Sequence, residues 1–386
     1  MKHLQIDQIR QELNSKFIER KEDIEIILTS LVANTNCVFL GSPGTGKSAL
    51  AQAVADLLTC SFFKVNLDEN LDPDFVIGTI SLKEMRDNDR ILRNTQGKIG
   101  DHQLVFLDEV FKCNSAMKNA LLLPLNERKV DIGDGNPKET EIRCVIGASN
   151  EYPNCTSLDD DTDHLVNDPN WDRWALRYEN SYIKSDSNFQ SLLTNRSTIG
   201  RVDKSKAISL EVIDDLRKDC DTVNLDNIIP KILDLRTELR KEGIIVSDRR
   251  WLTMCRIISA RTVMRGADTA KDQDMMIIEH GLWTTPDERE IVKDRLMDQL
   301  SSEIGDATKV LNYIIKEVQD LQSLHTNLNP SAIAEISMTK DKLSKFAVDA
   351  GSKNWTEIEA IEIKKQIEEQ LNVVNNMILQ CLRNNC

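Results

Sequence analysis

Gly41-Ser42-Pro43-Gly44-Thr45-Gly46-Lys47-Ser48 is the stretch that decides the fold of this 386-residue chain. It fits the pattern G-x-x-x-x-G-K-[ST], in which glycines let successive backbone N–H groups turn inward around a phosphate. The apolar run Cys37–Leu40 before it has strand propensity, and Ala49–Leu58 after it has helical periodicity. The sequence therefore predicts a strand, a phosphate-binding loop (P-loop) and a helix in succession.

The residue types of the P-loop predict how a nucleoside triphosphate would be held. Lys47 would reach the β- and γ-phosphates, and the Ser48 hydroxyl would ligate Mg²⁺. The helix that follows presents its positive N-terminal end to the same anion. The predicted nucleotide-binding residues are Gly41, Ser42, Pro43, Gly44, Thr45, Gly46, Lys47, Ser48 and Ala49.

A pair of carboxylates, Asp108-Glu109, follows the apolar run Leu104–Leu107. A buried strand that ends in carboxylates is by itself a weak indication of a catalytic site, but it becomes a strong one when it follows a P-loop. There, Asp108 would hold the metal ion through its water shell, and Glu109 would polarise the attacking water as a general base. We therefore predict Asp108 as a metal and nucleotide contact and Glu109 as a catalytic residue.

Asn150 and two segments that contain arginine complete the candidate residues. Asn150 follows the apolar run Cys144–Ala148, and an amide at the end of a parallel strand can orient water against a phosphate. The alternative is an ordinary asparagine that caps the next turn. Arginines occur in Trp171–Trp174, near the end of the strand signals, and in Ser247–Trp251, which opens a predicted helix. Alone, such arginines are more typical of surface or ion-pair residues than of catalytic ones.

The order of elements predicts an α/β fold followed by helical domains. Helical patterns alternate with four short apolar runs, which is typical of a parallel sheet between helices. Beyond about Leu192 only helical patterns occur. We predict an α/β core over residues 1–195, an all-helical domain over 196–286 and a C-terminal helical bundle or hairpin over 287–386. In the last region, apolar residues from Met297 to Leu321 step by three and four positions, as in a coiled-coil seam.

Composition excludes several classes of protein. Hydrophobic residues make up 40% of the chain and charged residues 29%, which excludes wholesale disorder. No apolar run is long enough for a membrane span. The formal charge of −14 weighs against a general nucleic-acid coat protein. Nine scattered cysteines without a C-x-x-C pair are typical of reduced packing residues, so we expect a cytoplasmic protein.

Taken together, the segments resemble the AAA+ ATPases, more narrowly the MoxR group, and within it the RavA branch. The resemblance covers about Phe17 to Trp283. The matching segments are Phe17-Ile18-Glu19-Arg20, the P-loop, Val105–Val110, Leu125-Asn126-Glu127-Arg128, Ala148-Ser149-Asn150-Glu151, Trp171-Asp172-Arg173, Ser247–Trp251 and Leu282-Trp283. The family likeness implies a P-loop AAA+ domain, in which the all-helical domain is the lid.

The resemblance also implies roles for residues that the patterns alone leave open. Asn150 falls at the sensor-1 position, and Arg249 falls at sensor 2 with Arg250 as the alternative. Arg173 falls at the position of the arginine finger that contacts ATP on the neighbouring subunit, with Arg177 as the alternative. A finger that acts on the neighbour requires an oligomer, and the family assembles as hexameric rings.

The cofactors and partners that the resemblance implies are ATP, Mg²⁺, a protein client and a von Willebrand factor A-domain protein. The turn-rich segment Val130–Thr140 is predicted as a hairpin, and the likeness equates it with the helix-2 insertion that faces the centre of the ring. The RavA branch carries an inserted partner-binding module, and the connection Asn327–Pro330 is too short to hold one.

The motifs and the family resemblance are compatible with two functions. The first is an ATPase ring that remodels or assembles protein partners, and the second is a nucleic-acid motor or loader, because related rings include helicases. Acidic residues on the predicted hairpin make it a poor match to phosphate and favour the first function. Its charged residues are Lys129, Asp131, Asp134, Lys138 and Glu139.

Overall fold

The computed structural model describes residues 2–153, 170–300, 311, 314–316, 318, 332–351 and 357–383. The acidic stretch 154–169 and most of the predicted coiled-coil seam lie outside these residues, as does the connection Asn327–Pro330. The chain forms two compact units, Met1–Val292 and Lys293–Cys386. The domain limits after residues 195 and 286 stay predictions.

The described elements are numbered along the chain. The strands are β1 (Cys37–Gly41), β2 (Phe62–Asn66), β3 (Thr79–Ile80), β4 (Arg93–Asn94), β5 (Leu104–Asp108), β6 (Lys129–Val130), β7 (Lys138–Glu139), β8 (Cys144–Ser149) and β9 (Leu176–Asn180). The α-helices are α1 (Lys2–Lys16), α2 (Lys21–Ala33), α3 (Lys47–Leu57), α4 (Pro73–Ile77), α5 (Leu82–Asn88), α6 (Ser115–Glu127), α7 (Asp186–Thr194), α8 (Glu211–Asp219), α9 (Ile229–Lys241), α10 (Asp248–Met264), α11 (Asp272–Met275), α12 (Pro286–Gln299), α13 (Ala332–Gly351) and α14 (Glu357–Arg383).

A five-stranded sheet in the order β2-β5-β8-β1-β9 forms the centre of the first unit, and all its pairings are parallel. β1, β5 and β8 are almost entirely buried, as their continuous apolar runs predict. The α/β fold predicted from the sequence is confirmed. Because parallel strands end at one edge of the sheet, Gly41, Asp108 and Ser149 are brought to the same side of the molecule.

The fifth strand, β9, was not predicted, and its sequence explains why. Leu-Arg-Tyr-Glu-Asn contains two charged residues inside the strand, whereas β1, β5 and β8 contain none there and β2 contains only Lys64. Arg177 is nevertheless buried, because its guanidinium donates to the carbonyls of Trp171 and Trp174 and lies 4.1 Å from the centre of the Trp171 ring. Its guanidinium also donates to the carbonyl of Trp283, 106 residues further along the chain, and such contacts make a buried arginine tolerable at the edge of the core.

A single glycine makes room for an aromatic side chain on the sheet. A Cβ atom added at Gly147 in β8 would lie 2.7 Å from the six-membered ring of Trp174. We expect Gly147→Ala to lower the free energy of unfolding by about 1–3 kcal/mol, as overpacking does in cores. Denaturant unfolding would measure this. The double variant with Trp174→Phe should lose less stability than the two single losses added together, and simple additivity would contradict the packing argument.

Two small antiparallel pairs lie outside the main sheet. β6 and β7 pair as the predicted hairpin, which is confirmed. β3 and β4 pair with each other, and the Arg93 N–H donates to the Ile132 carbonyl at 2.9 Å, which ties the two pairs together. The pair β3–β4 interrupts the helical segment after β2, where the second helix of the core lies. The hairpin β6–β7 instead follows α6, after the third strand of the main sheet along the chain, so the assignment of Val130–Thr140 to the helix-2 insertion is wrong.

Helices α8 to α12 follow the sheet, in agreement with the all-helical pattern. α10 begins where the sequence predicts, and the Ser247 hydroxyl caps it by accepting the Arg250 N–H at 3.2 Å. In the second unit, Leu311, Ile314 and Val318 of the predicted seam are buried in one apolar cluster with side chains of α13 and α14. Among the described residues, no helix combines the length and apolarity that crossing a membrane requires.

Candidate functional site

The P-loop lies between β1 and α3 and has the backbone that a phosphate cradle requires. Gly41, Gly44 and Gly46 have φ values of 106°, 78° and 84°, which only glycine adopts readily. A Cβ atom at Gly41 would lie 2.4 Å from the carbonyl oxygen of Asn180, so this position also has no room for a side chain. The loop therefore curls as predicted, with α3 beginning at Lys47.

Lys47 lies folded over the P-loop. Its Nζ donates to the carbonyls of Gly41 at 2.8 Å and Ser42 at 3.0 Å. Burial lowers the pKa of the Lys47 ammonium, while Asp108 and Glu109 act in the opposite direction. A phosphate bound in the loop would offer Lys47 a negatively charged acceptor, which makes a stronger hydrogen bond than a neutral carbonyl does. Lys47 can therefore exchange its two carbonyl acceptors for phosphate oxygens.

The oxygen donors beside the P-loop suit a magnesium ion. The Ser48 hydroxyl lies in the first turn of α3, and Asp108 ends β5. Hydroxyl and carboxylate oxygens are the hard ligands that Mg²⁺ prefers, so both residues fit the predicted metal role. The Lys64 Nζ in β2 donates to the Ser48 hydroxyl at 3.1 Å. Lys64 was not predicted from the sequence, because no motif marks this lysine.

Glu109 is held in an unusual conformation next to Asn150. Its φ of 54° is left-handed for a residue with a side chain, which costs roughly 1–3 kcal/mol and is common at functional sites. The Asn150 amide donates to Glu109 Oε1 at 2.7 Å, and the Lys112 Nζ lies 3.3 Å from Oε2. The structure thus brings Glu109 and Asn150 together at the edge of the sheet where Asp108 and the P-loop lie.

Arg173 and Arg249 lie together elsewhere. They line a cavity of about 310 Å³ with Asn36 and Asn126, and the Arg249 Nη2 donates to the Asn126 Oδ1 at 3.0 Å. Burial lowers the pKa of Arg173, and the neighbouring Arg249 lowers it further. In the described part of the chain, the buried Nε and Nη1 atoms of Arg173 have no hydrogen-bond acceptor. Four arginines and two acidic residues line this polar cavity, and the excess of positive charge makes it suitable for an anionic group.

This cavity is remote from the P-loop of its own chain. The carbonyl oxygen of Arg173 accepts a hydrogen bond from the side chain of Asn36, which immediately precedes β1, whereas the P-loop begins at the last residue of β1. The five residues of that strand span about 16 Å. The candidate residues therefore form two groups at opposite ends of β1.

The alternatives Arg177 and Arg250 are both buried and engaged by the protein. Arg250 donates to the Asp172 carboxylate at 2.9 Å and to main-chain carbonyls of Trp174, Ala175 and Gly281. The environment of Arg177 lowers its pKa mainly through burial. These contacts hold the segment before β9 against the helical domain. Arg128 and Arg250 also line the cavity, but both are bonded to protein acceptors, whereas Arg173 keeps two buried nitrogen atoms without an acceptor among the described residues.

Comparisons with known proteins agree with this fold and these motifs. Residues 4–218 match the family described as the MoxR domain in the MoxR-vWA-beta-propeller ternary systems, and residues 227–296 match an AAA lid domain. The uncharacterized protein MJ0812 of Methanocaldococcus jannaschii is 35% identical over 284 residues, which are 73% of this chain and 72% of that protein. MJ0079 of the same organism is 32% identical over 342 residues, 88% of this chain and 84% of its own.

A solved structure supports the fold. The crystal structure of a candidate ATPase from Cytophaga hutchinsonii superposes with a TM-score of 0.59 at 18% identity, covering 76% of this chain and 94% of that one. At this level of identity the match supports the fold alone.

Proposed function

The chain belongs to the MoxR family of AAA+ ATPases, and from this premise we propose that it binds and hydrolyses ATP between subunits of a hexameric ring to remodel or assemble protein partners. The observation that carries the proposal is the separation of Arg173 and Arg249 from the P-loop of the same chain. Arg173 and Arg249, which lie at the opposite end of β1 from their own P-loop, are placed to suit an ATP molecule bound to a neighbouring copy.

We propose the following roles at the P-loop. Backbone N–H groups and Lys47 bind the phosphates, and Lys47 exchanges its two carbonyl acceptors for phosphate oxygens. Ser48 and Asp108 hold Mg²⁺, which when bound shields the negative charge on the phosphates. Glu109 accepts a proton from the attacking water as its oxygen approaches the γ-phosphorus, and Asn150 orients both the carboxylate and that water.

The ring arrangement completes the site. Arg173, as the finger, and Arg249, as sensor 2, would stabilise charge on the γ-phosphate of the adjacent subunit. Hydrolysis then changes what the two arginines bind, so the contact between subunits depends on the nucleotide state. ATP turnover can be coupled to a change in the ring only if the nucleotide binds the two arrangements of the ring with different affinities.

We also propose a von Willebrand factor A-domain protein as partner, because the matching family description names such systems. Membership of the RavA branch and a cytoplasmic location stay predictions. We retain a nucleic-acid motor only as an alternative that no observed contact favours. The ATPase rate measured with and without DNA and RNA separates the two, since strong stimulation by either would favour the alternative.

The proposal predicts that Lys47→Ala abolishes ATP binding. Removing the ammonium takes away the only lysine of the loop and its charge on the phosphates, so affinity should fall at least about 100-fold. Isothermal calorimetry with Mg²⁺-ATP tests this, with thermal unfolding to verify that the variant is folded. An unmodified protein that releases no heat with ATP would overturn the proposed function.

A further inference from the structure

The dipeptide Glu19-Arg20, which lies just before α2, has no role in the proposed chemistry. Glu19 has a φ of 54°, which is left-handed and unfavourable for a residue with a side chain. The turn sends the two side chains to different segments of the molecule. Strain of this kind persists only where the surrounding contacts hold it in place.

Arg20 is a buried guanidinium that joins the P-loop to the segment after β9. Its Nε donates to the Thr45 carbonyl at 3.0 Å, and its Nη2 donates to the Ser181 carbonyl at 3.0 Å. Its exposed fraction is 9%. The buried carboxyl of Asp23 lies close by: burial raises the pKa of Asp23 to about 6, and the charge of Arg20 acts against that rise.

The bond to Thr45 fixes the orientation of the peptide group between Thr45 and Gly46 in the P-loop. In a trans peptide the C=O and the next N–H point in opposite directions. Because the Thr45 carbonyl points towards Arg20, the Gly46 N–H points away from Arg20. Arg20 therefore sets the direction of one of the donors that bind phosphate in such loops.

Glu19 holds the start of α7. Its carboxylate accepts the N–H groups of Lys184 at 2.8 Å and Ser185 at 3.1 Å, and the Asn188 amide at 2.8 Å. These bonds lower the pKa of Glu19 against the opposing effect of burial, so the carboxylate is charged. A negative charge also suits the positive end of a nine-residue helix.

We propose that Glu19 and Arg20 are positioning residues that pre-set the P-loop for phosphate and couple its occupancy to the position of α7. The contacts run from Thr45 through Arg20 and Glu19 to Lys184 and Ser185. The consequence for affinity rests on the proposed ATP binding, whereas the mechanical link between the P-loop and α7 does not. Nucleotide binding restricts the motion of the P-loop and thereby, through Arg20 and Glu19, orders the start of α7.

Arg20→Lys is the test variant, because lysine keeps the charge beside Asp23 but lacks the planar fork that reaches two carbonyls. We expect the dissociation constant for ADP to rise about tenfold, with KM for ATP rising in step and kcat changing less than twofold. Arg217→Lys is the matched control. The Arg217 guanidinium likewise donates to two carbonyls, those of Leu31 and Arg143, beside the carboxylate of Asp214. The Arg217→Lys substitution should leave nucleotide affinity unchanged.

Hydrogen exchange in the nucleotide-free protein tests the link independently of binding. Arg20→Lys should speed exchange both in the P-loop and in residues 183–190, and Glu19→Gln should do the same at the start of α7. Wild-type exchange in both segments of Arg20→Lys, or equal effects of Arg217→Lys, would overturn the proposal. If the unmodified protein binds no nucleotide but the two segments still loosen together, the proposed function fails and the link stands.

Discussion

Glu109→Gln is expected to bind ATP with nearly the affinity of the unmodified protein and to hydrolyse it roughly 10²–10⁴-fold more slowly. This is the range that a positioned general base contributes. The amide keeps the shape of the side chain and the contact with Asn150. It cannot accept a proton from water, so the ATP-bound state should accumulate.

Two measurements test this prediction. Calorimetry must show that Glu109→Gln still binds Mg²⁺-ATP, and single-turnover kinetics must show that the chemical step is slow. Glu211→Gln, at the exposed start of α8, is the control for loss of a carboxylate. Hydrolysis by Glu109→Gln at the unmodified rate would remove Glu109 from the role of base.

The sequence predicted the candidate residues at this edge of the sheet because each motif there lies within a short stretch of the chain. The glycines of the P-loop and the apolar strand before Asp108-Glu109 have meaning within a few residues. The parallel register of β1, β5 and β8 then brings these ends together, as any such sheet does. Sequence could therefore place Lys47, Asp108, Glu109 and Asn150 at one edge.

Contacts between distant segments could not be predicted from the sequence. Arg20 lies 25 residues from the carbonyl it binds at the P-loop, and no local pattern marks such a pair. The edge strand β9 tolerates Arg177 because its guanidinium lies against Trp171 and against Trp283, which comes from a distant segment. The choice between Arg249 and Arg250 concerns adjacent residues of one type, so only burial distinguishes them: Arg250 is 8% exposed, whereas Arg249 is exposed to the cavity.

Arg173→Ala is expected to lower the ATPase rate of the assembled protein by about 10³-fold or more, which is the scale of an arginine finger. Affinity for ATP should change little, because the P-loop lies about 16 Å away at the other end of β1. Arg196→Ala, which removes an exposed arginine after α7, is the control and should retain the full rate.

Mixing subunits decides whether Arg173 acts on its own chain or on a neighbour. Lys47→Ala subunits have an intact Arg173 but no working P-loop, and Arg173→Ala subunits have the reverse. If the arginine acts across the interface, mixed oligomers contain junctions where an intact P-loop meets an intact Arg173, so mixing two inactive variants should restore part of the activity. If Arg173 served its own P-loop, no subunit of the mixture would hold both, and activity would stay at the level of the single variants. Restoration would also require that the protein forms an oligomer, because a monomer presents no such junction.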